Sequence, residues 1–444
     1  MILKNLGKPY IFTLFLVFSI TVLLGRLAFA EEIPEASSIE VSRLNDLIEE
    51  ALNNNQLLEA EKFAALSREA QIGPAGAYAD PMLRLEAMSY PIDTLSPDQF
   101  DMTGNKVSLT QAIPFPGKQS KLRKAATFEA QSEKERWSNL RLEVTRDVKL
   151  AFYRYFLGTK KKRVLEDKRN VIRQLIDATR DKYIIGKVPQ AEVLNLQVED
   201  ANLIEQILIA DSQIAEEIGD LHHLLGRRSH ERPLGEPEAI RKTVLDFATL
   251  SPHQITERAL EKNPSIRSKD YRLDATSSRL SYAKWNYLPD FEVGVGYTFR
   301  EGTQNSSGVD FISGMVGISL PVWAITKQSK EVDAARAQKA EAGALAEQER
   351  IHLAHLVHNL YAELKAADGR VQLFESGVLP LTRQAVLVGK SAYLARKFEY
   401  SSLLTAINNR FNAEFSYYEA LVSYQSKIAE LEALTGESLG NQKP

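Results

Sequence analysis

The feature that most restricts the fold of this 444-residue chain is an internal repeat. Glu49-Glu50-Ala51-Leu52 recurs as Glu257-Arg258-Ala259-Leu260, 208 positions later. Further landmarks recur in the same order: Pro81 as Pro289, Ile113-Pro114-Phe115 as Leu320-Pro321-Val322, Lys118 to Lys121 as Lys327 to Lys330, Tyr183 as Tyr393, Lys187 as Lys397, and Leu224-Leu225-Gly226 as Leu434-Thr435-Gly436. Landmarks that keep their order and spacing in this way indicate a tandem duplication.

Each repeat predicts the same elements in the same order: a helix, a β-hairpin, a very long helix, a tip where the chain turns, and another long helix. A charged segment that carries Pro233 and Pro237 is predicted to be a linker between the repeats. The predicted division is a signal peptide at 1–30, a first repeat at 31–227 with a hairpin near 81–114 and long helices near 118–227, a linker at 228–251, a second repeat at 252–437 with a hairpin near 289–321 and long helices near 327–437, and a tail at 438–444.

The first thirty residues have the features of a secretory signal peptide. Lys4 and Lys8 precede an apolar run at 11–24, and Ala28-Phe29-Ala30 supplies small residues for cleavage. We therefore expect an exported protein whose mature chain begins at Glu31. The chain contains no cysteine, which excludes a thioether-linked lipid anchor, disulfides and thiolate metal sites.

Charge and hydropathy restrict the partners of the mature chain. Removing the signal peptide leaves 52 basic and 58 acidic residues, a formal charge of −6, which argues against nucleic acid as a partner. Beyond the signal peptide, no stretch approaches the roughly 18 apolar residues that a spanning helix needs. If the mature chain crosses a membrane, we expect a closed β-barrel, because open sheet edges would leave backbone groups unpaired in lipid.

The long helices carry apolar residues at alternating steps of four and three, which indicates left-handed packing against neighbouring helices. In the second repeat these positions are Leu353, Val357, Leu360, Leu364, Ala367, Val371, Phe374, Val378 and Leu381. In the first repeat they are Trp137, Leu140, Val144, Val148, Ala151 and Tyr155. The stretch from Gln119 to Ile185 contains no proline and predicts one helix of 67 residues, about 100 Å long at 1.5 Å per residue.

The hairpin strands alternate between apolar and polar residues, strictly so at 291–300, which gives each strand one dry face. In the second repeat the dry face carries Phe291, Val293, Val295, Tyr297, Phe299, Ile312, Val316, Ile318 and Leu320. In the first repeat it carries Leu83, Leu85, Ala87, Val107, Leu109 and Ile113. This alternation suits a membrane barrel with a watery interior. A half-buried soluble sheet would show the same alternation.

The number of strands then predicts how many chains assemble. One chain supplies four strands, whereas the smallest membrane barrels need roughly eight. Two chains would give a barrel filled by side chains, and three would give twelve strands with room for a pore. We therefore expect a homotrimer in contact with outer-membrane lipid.

Two tandem copies of helix, hairpin and long helical pair behind a signal peptide resemble the TolC-like outer membrane efflux proteins. The resemblance extends over about residues 40–437. It implies a mainly α fold with a small β part, in which three chains form a twelve-stranded β-barrel continued by an α-helical tunnel through the periplasm. Gln111 to Lys118 is similar to the strand-to-helix turn of members that serve heavy-metal cation exporters. The turn residues in the two repeats are Pro114, Pro116, Gly117 and Pro321.

The resemblance also implies that both helix-to-helix tips face a periplasmic adaptor protein and an inner-membrane pump. The corresponding tip residues are Tyr183, Gly186, Lys187, Tyr393, Arg396 and Lys397, with Arg396 in place of the glycine usual in the family. An acidic constriction found in some members falls here on Ser402 and Thr405, neither of which is charged. Glu192 and Glu399 are the nearest carboxylates that could ring the pore. The alternative for both is an ordinary solvated helix face.

Two groups of side chains are candidate metal ligands. Three imidazoles, His352, His355 and His358, could bind zinc or copper, although they lie between the packing positions of a helix, where solvated histidines need no ligand. Met82, Met88 and Met315 fall on the polar face of the predicted strands and could guide copper or silver, with adaptable packing as the alternative. No catalytic motif occurs, so neither an enzyme nor a cofactor is expected.

The resulting interpretation is a passive channel subunit of a tripartite exporter, which conducts heavy-metal cations from the periplasm to the exterior under the drive of a resistance-nodulation pump. Multidrug efflux and type I protein secretion are the alternatives for the substrate. A periplasmic coiled-coil scaffold or adaptor is the alternative from a different class, but it leaves the hairpins unexplained.

Overall fold

The computed structural model describes residues 41–228, 234–247, 251–304, 306–395 and 399–439. The predicted signal peptide at 1–30, the tip residues Arg396 and Lys397, and parts of the predicted linker and tail lie outside the described residues. Within these ranges, no helix combines the length and the apolar character needed to cross a membrane.

Long helices dominate the described chain. The helices are α1 (Leu44–Asn54), α2 (Gln56–Ala70), α3 (Ile72–Ala75), α4 (Lys118–Ile184), α5 (Gln190–Leu224), α6 (Pro252–Lys262), α7 (Pro264–Trp285), α8 (Gln328–Leu373), α9 (Leu379–Leu394) and α10 (Tyr400–Thr435). The strands are β1 (Val41–Ser42), β2 (Met82–Met88), β3 (Gly104–Ile113), β4 (Glu236–Pro237), β5 (Asp290–Phe299) and β6 (Phe311–Ser319). This order confirms the mainly α fold class with a small β part.

The duplication extends to matching hydrogen bonds. Asn55 caps α2 by accepting from two backbone N–H groups, and its amide donates to the carbonyl of Leu224 at 3.1 Å. Asn263, 208 positions later, caps α7 and donates to the carbonyl of Leu434 at 2.9 Å. Each repeat therefore closes its long helical hairpin back onto its own first helices through the same side chain.

The four longer strands form one antiparallel sheet in the order β2-β3-β5-β6. The central pair joins the two repeats, since β3 of the first repeat pairs with β5 of the second from Asn105–Phe299 to Ile113–Phe291. A separate parallel pair joins β1, at the start of the described residues, to β4 between the repeats. Among the described residues, β2 and β6 each have one neighbour and are the edges of the four-stranded sheet.

The predicted 67-residue helix is present as α4, shifted by one residue. Its apolar positions Val144, Val148, Ala151 and Tyr155 are buried, as the spacing predicts. In this part of the molecule they pack with α1 and with the end of α5 to form one core. A second core lies between α6, α8 and α10.

The long helix of the second repeat departs from the prediction at one point. A π-helical turn, Phe374–Val378, separates α8 from α9. Beyond it the buried positions are Leu379, Val386 and Tyr393. Val378 and Leu381, which the spacing predicts to be buried, therefore lie off the packing face. Pro380 explains the π-helical turn. Proline has no N–H to donate to the backbone carbonyl four residues earlier, and its ring clashes with that carbonyl. The extra residue shifts the packing face by one position.

Candidate functional site

One face of the four-stranded sheet is predominantly apolar and the other is predominantly polar. The register aligns Leu85, Val107, Tyr297 and Ile312 in one cross-strand row, and Leu83, Leu109 and Val295 in another row on the same face. The opposite face carries Arg84, Glu86, Lys106, Ser108, Thr110, Glu292, Thr298 and Ser313. The apolar side chains are exposed in the single chain, including Leu85 and Val316 at 72% and 75%. A face of this kind requires an apolar partner.

The first strand-to-helix corner is held by the second repeat. Asp290 accepts hydrogen bonds from the backbone N–H of Phe115 at 2.7 Å and from the ammonium of Lys118 at 2.8 Å. That ammonium also donates to the carbonyl of Leu288 at 3.0 Å, and its side chain is only 5% exposed. One carboxylate at the start of β5 therefore fixes the end of β3 and the beginning of α4.

Gly117 enters α4 with a φ of 102°, a left-handed conformation that glycine adopts readily. A Cβ at this position would lie 2.5 Å from the indole ring of Trp285, which packs against the backbone. The neighbouring Phe115 ring contacts Trp285 and Phe291. Gly117 and Phe115 therefore pack tightly against the second repeat, whereas the predicted turn residues Pro114 and Pro116 are half-buried and exposed, respectively.

The first tip, between α4 and α5, ends in a hydrogen-bonded glycine turn. Gly186 has a φ of 69°, and its N–H donates to the carbonyl of Tyr183 at 2.8 Å. The N–H of Lys187 donates to the carbonyl of Lys182 at 2.8 Å, which completes a Schellman motif. Tyr183 and Lys187 are exposed at this tip, where a partner protein can reach them.

Tyr393 does not share the exposure of its repeat counterpart Tyr183. It is 5% exposed at the end of α9, and its hydroxyl lies 3.2 Å from the Thr179 hydroxyl and 3.5 Å from a carboxylate oxygen of Glu192. The ammonium of Lys182 lies 3.8 Å from the centre of the Tyr393 ring and donates to the Tyr393 carbonyl. These contacts join the two tips within one chain.

The candidate carboxylates Glu192 and Glu399 lie in one cleft at the tips. The cleft has a volume of about 560 Å³ and is lined by Lys182, Lys187, Val188, Glu192, Tyr393, Glu399, Tyr400 and Ser401. Ser402 and Thr405 lie in the first turns of α10, and the Thr405 hydroxyl donates to the backbone carbonyl of Ser401 at 2.8 Å. The cleft thus holds both acidic and basic groups.

Tyr400 adds a buried hydroxyl to this cleft. In the described part of the chain this hydroxyl has no hydrogen-bond partner. Burial, together with the negative charges of Glu199 and Glu192, raises the pKa of Tyr400 to about 12. The same carboxylates therefore favour the neutral phenol, which keeps the packing of the tips free of a further negative charge.

The candidate histidine and methionine ligands belong to separate parts of the single chain. His352, His355 and His358 are exposed on α8, and His355 hydrogen bonds with Asn359 at 3.1 Å. Among the described residues, no group of three His, Cys, Asp or Glu side chains could hold a metal ion. Met82 and Met315 occupy the same cross-strand row but lie on the two opposite edge strands.

Comparison with known proteins identifies the family. The sequence profile described as outer membrane efflux protein matches residues 47–227 and 255–437, one match for each repeat and well over half of the chain. The chain belongs to the outer membrane efflux protein family. Its predicted localisation in the outer membrane is thereby confirmed, and so is its resemblance to TolC-like proteins at the level of the family. The description of the family as efflux proteins supports the interpretation of the chain as a transport protein rather than an enzyme.

Solved structures of outer-membrane proteins share the fold of this efflux protein. The outer-membrane channel OprN is 15% identical with a TM-score of 0.77, and the alignment covers 89% of this chain and 90% of that one. CusC, described as forming a transmembrane channel, is 15% identical with a TM-score of 0.77 over 90% and 93% of the two chains. The outer membrane protein VceC from Vibrio cholerae is 17% identical with a TM-score of 0.73 over 89% and 96%. No curated protein matches this chain significantly.

Sequence reasoning missed several residues that organise the site of this efflux protein. Asp290 could have been noticed as a carboxylate at the first position of an otherwise alternating strand. Thr179 follows Ile172 and Ile176 at packing intervals of four and three, so a polar residue at a core position was the available signal. For Lys182 the sequence offers no comparable signal, because basic residues are common throughout α4.

Proposed function

We propose that this efflux protein is the channel subunit of a tripartite exporter, assembled as a homotrimer. Three copies of the four-stranded sheet give a twelve-stranded barrel, with the apolar face toward lipid and the polar face toward a water-filled lumen. The long helices extend into the periplasm, and the tips meet an adaptor protein and an inner-membrane pump. Substrate passes by diffusion, and the pump supplies the energy.

The observation that carries this proposal is the sheet with two distinct faces and two edges that have no neighbour among the described strands. Open edges cannot be left in lipid, because each unpaired backbone group costs several kcal/mol. Pairing β6 of one copy with β2 of the next satisfies both edges. The central pairing of β3 with β5 provides the precedent, since it already joins the second hairpin strand of one repeat to the first hairpin strand of the other.

The helices support the same assembly. The exposed surface of α5 carries Leu194, Val198 and Leu208, and that of α9 carries Leu381, Leu387 and Val388. Apolar side chains repeated along two exposed helices favour contact with further helices. Neighbouring copies of the chain bring such helices together around a common axis.

For the substrate we propose heavy-metal cations. The support is the turn from Gln111 to Lys118, which is similar to the corresponding turn in members that serve heavy-metal exporters. Multidrug efflux and protein secretion remain the alternatives, and nothing in the cleft at the tips favours either of them. Because the channel is passive, selection of the substrate would reside mainly in the pump.

Purified mature protein tests the channel and the assembly directly. We expect an oligomer that survives unheated gel electrophoresis, has the mass of three chains in native mass spectrometry, and conducts ions in planar bilayers. Val316→Asp places a charge on the apolar face and should reduce bilayer insertion, whereas Ser313→Asp on the polar face should not. A monomer that stays in plain buffer and does not associate with bilayers would overturn the proposal.

The substrate is tested in cells that lack the protein and retain its pump and adaptor. Restoring the chain should restore tolerance to copper, silver or zinc and leave drug tolerance unchanged. Restored drug tolerance without any effect on metal tolerance would favour the multidrug alternative instead.

A further inference from the structure

The polar face of the sheet is hollow at the centre of β5. The polar-face positions of this strand are Asp290, Glu292, Gly294, Gly296 and Thr298. Two of the five therefore have no side chain. We call the shallow channel above Gly294 and Gly296 the glycine trough. The matching positions of the first repeat, 208 residues earlier, are Glu86 and Met88, so the first repeat has side chains where the second has the trough.

Side chains of both neighbouring strands fill the trough. A Cβ at Gly296 would lie 2.8 Å from Cε of Lys106 on β3 and 3.0 Å from Oγ of Ser313 on β6. A Cβ at Gly294 would lie 3.3 Å from the methyl carbon of Met315. Gly296 is buried as a result, although Ser313 beside it is exposed. The Lys106 side chain thus lies flat along the sheet instead of standing out from it.

The direction in which Lys106 leans is not the one that charge alone favours. Its direct cross-strand partners are Glu86 on β2 and Thr298 on β5. Opposite charges directly across an antiparallel pair attract each other, so attraction by Glu86 would draw Lys106 toward β2. Its Cε instead lies over Gly296, the diagonal neighbour on the other side. The space above Gly296 explains this direction, because a side chain at that position would occupy it.

The lean of Lys106 separates its charge from that of Glu86. Two strand spacings, roughly 10 Å, lie between β2, which carries Glu86, and β5, which carries Gly296. Glu86 lies 3.7 Å from Arg84 on its own strand, and the two side chains are 38% and 57% exposed. The Glu86 carboxylate therefore reaches solvent on the polar face, while the Lys106 side chain is held over β5.

We propose that the glycine trough sets the ionic preference of the barrel by holding the charge of Lys106 against the wall and away from Glu86. This inference rests on the proposed function, because it requires the polar face to line a lumen that conducts ions. A carboxylate in a lumen raises the local concentration of cations, whereas an ammonium beside it cancels that effect. The trough therefore favours the passage of cations, which are the substrate class proposed above.

Gly296→Ala tests the trough by filling it. The new methyl group conflicts mainly with the far end of the Lys106 side chain, which can move, so the sheet should still form. We expect the ammonium to move toward Glu86 or into the lumen. The permeability to cations relative to anions should then fall about twofold, as for a unit charge that moves by several ångströms in water. Reversal potentials of the purified mature chain in planar bilayers, in a gradient of potassium chloride, measure this ratio.

Gly294→Ala is the matched control. It makes the same change on the same face of the same strand, but its methyl group meets Thr110 and Met315, which carry no charge. Its permeability ratio should equal that of the wild type. In a Lys106→Gln background, Gly296→Ala should have no effect, because the charge that it displaces is absent. The inference is overturned if Gly296→Ala leaves the ratio unchanged, if it lowers the ratio equally in the Lys106→Gln background, or if Gly294→Ala lowers it as much.

A double-mutant cycle of Glu86 and Lys106 tests the same point without a change in the trough. Because the two charges are held apart, the effects of Glu86→Gln and Lys106→Gln on the logarithm of the permeability ratio should add. Strong coupling between them would place the ammonium beside Glu86 and overturn the inference, even if Gly296→Ala fails to assemble. A wild-type chain that conducts no ions would overturn the proposed function itself, and the inference with it.

Discussion

The hydroxyl groups of Thr179 and Tyr393 lie 3.2 Å apart in the core of the tips and join the two repeats. Both residues are almost fully buried, at 0% and 5% exposure. Thr179 belongs to the last turns of α4, and Tyr393 to the end of α9. Because Glu192 also contacts the Tyr393 hydroxyl, three of the four tip helices are linked through one phenol.

Tyr393→Phe should loosen the tips without disturbing their apolar packing. The ring and its contact with Lys182 remain, but the buried hydroxyl of Thr179 loses its partner. A lost hydrogen bond of this kind costs about 1 kcal/mol, which corresponds to a roughly fivefold shift toward a separated state of the tips. The expected result is a higher open probability in single-channel recordings.

Tyr400→Phe is the matched control for that change. It removes a buried hydroxyl that has no partner among the described residues, so the packing should be unchanged or slightly improved. The interpretation of Tyr393 as a tie between the tips fails if both variants change the open probability equally, or if neither does.

Glu192→Gln and Glu399→Gln test whether these carboxylates influence ion passage. If they ring the pore, removing either negative charge should lower the permeability to cations relative to anions, and the effect should weaken at high salt. Reversal potentials in a salt gradient measure this ratio. Glu205→Gln, on an exposed part of α5, should leave it unchanged. An unchanged ratio in both tip variants would show that neither carboxylate rings the pore.

The long helices were predictable from sequence because their determinants are local and repeated. α4 contains no proline and keeps apolar residues at steps of four and three, and it extends over 67 residues as expected. The same reasoning failed after Phe374, where a single proline inserts a π-helical turn and moves the buried face by one residue. Periodicity alone cannot show how a helix accommodates an interruption.

The contacts between the repeats were less accessible to sequence reasoning. Tyr183 and Tyr393 correspond in the duplication, yet one is exposed and the other is buried against Thr179 and Lys182. Their environments differ because α9 packs its end against α4, whereas the end of α4 that carries Tyr183 faces solvent. Asp290 and Lys118 are 172 positions apart and come together only through the pairing of β3 with β5.

Asp290→Ala should destabilise the junction between strands and helices. It leaves the ammonium of Lys118, whose side chain is 5% exposed, without its carboxylate and also frees the N–H of Phe115. Because the Asp290 side chain is 44% exposed and Lys118 keeps its hydrogen bond to Leu288, we expect a cost of about 1–2 kcal/mol, less than for a fully buried pair. The temperature at which the proposed trimer dissociates on gels should fall accordingly.

An exposed ion pair provides the comparison for Asp290→Ala. Arg336 and Asp333 are 3.1 Å apart on α8, with side chains 65% and 49% exposed. Arg336→Gln should leave the dissociation temperature close to that of the wild type, because exposed pairs contribute little. Equal stability of the two variants would show that the Asp290 contact does not support the junction.

Gly117→Ala and Gly186→Ala separate backbone strain from steric conflict. Both glycines have a positive φ, so alanine costs roughly 1 kcal/mol at each position. At Gly117 the new methyl group would also lie 2.5 Å from the Trp285 ring, whereas at Gly186 nothing lies within 4 Å. Denaturant unfolding should therefore show a larger loss for Gly117→Ala. A larger loss for Gly186→Ala would contradict the packing described for the first corner.

Tyr400 makes the stability of the tips sensitive to alkaline pH. Its pKa is raised from 10.0 to about 12, mainly by burial and further by Glu199 and Glu192. Below pH 10 the phenol is neutral in both the folded and the unfolded tips, and the full stability is present. Between pH 10 and about 12 the unfolded state loses the proton first, so stability falls as the pH rises. Hydrogen exchange of the tip peptides across this range should show faster opening in the wild type and a weaker pH dependence in Tyr400→Phe. Tyr183→Phe, at the exposed first tip, should retain the wild-type dependence, and identical pH profiles for all three proteins would contradict the role of the buried Tyr400 phenol.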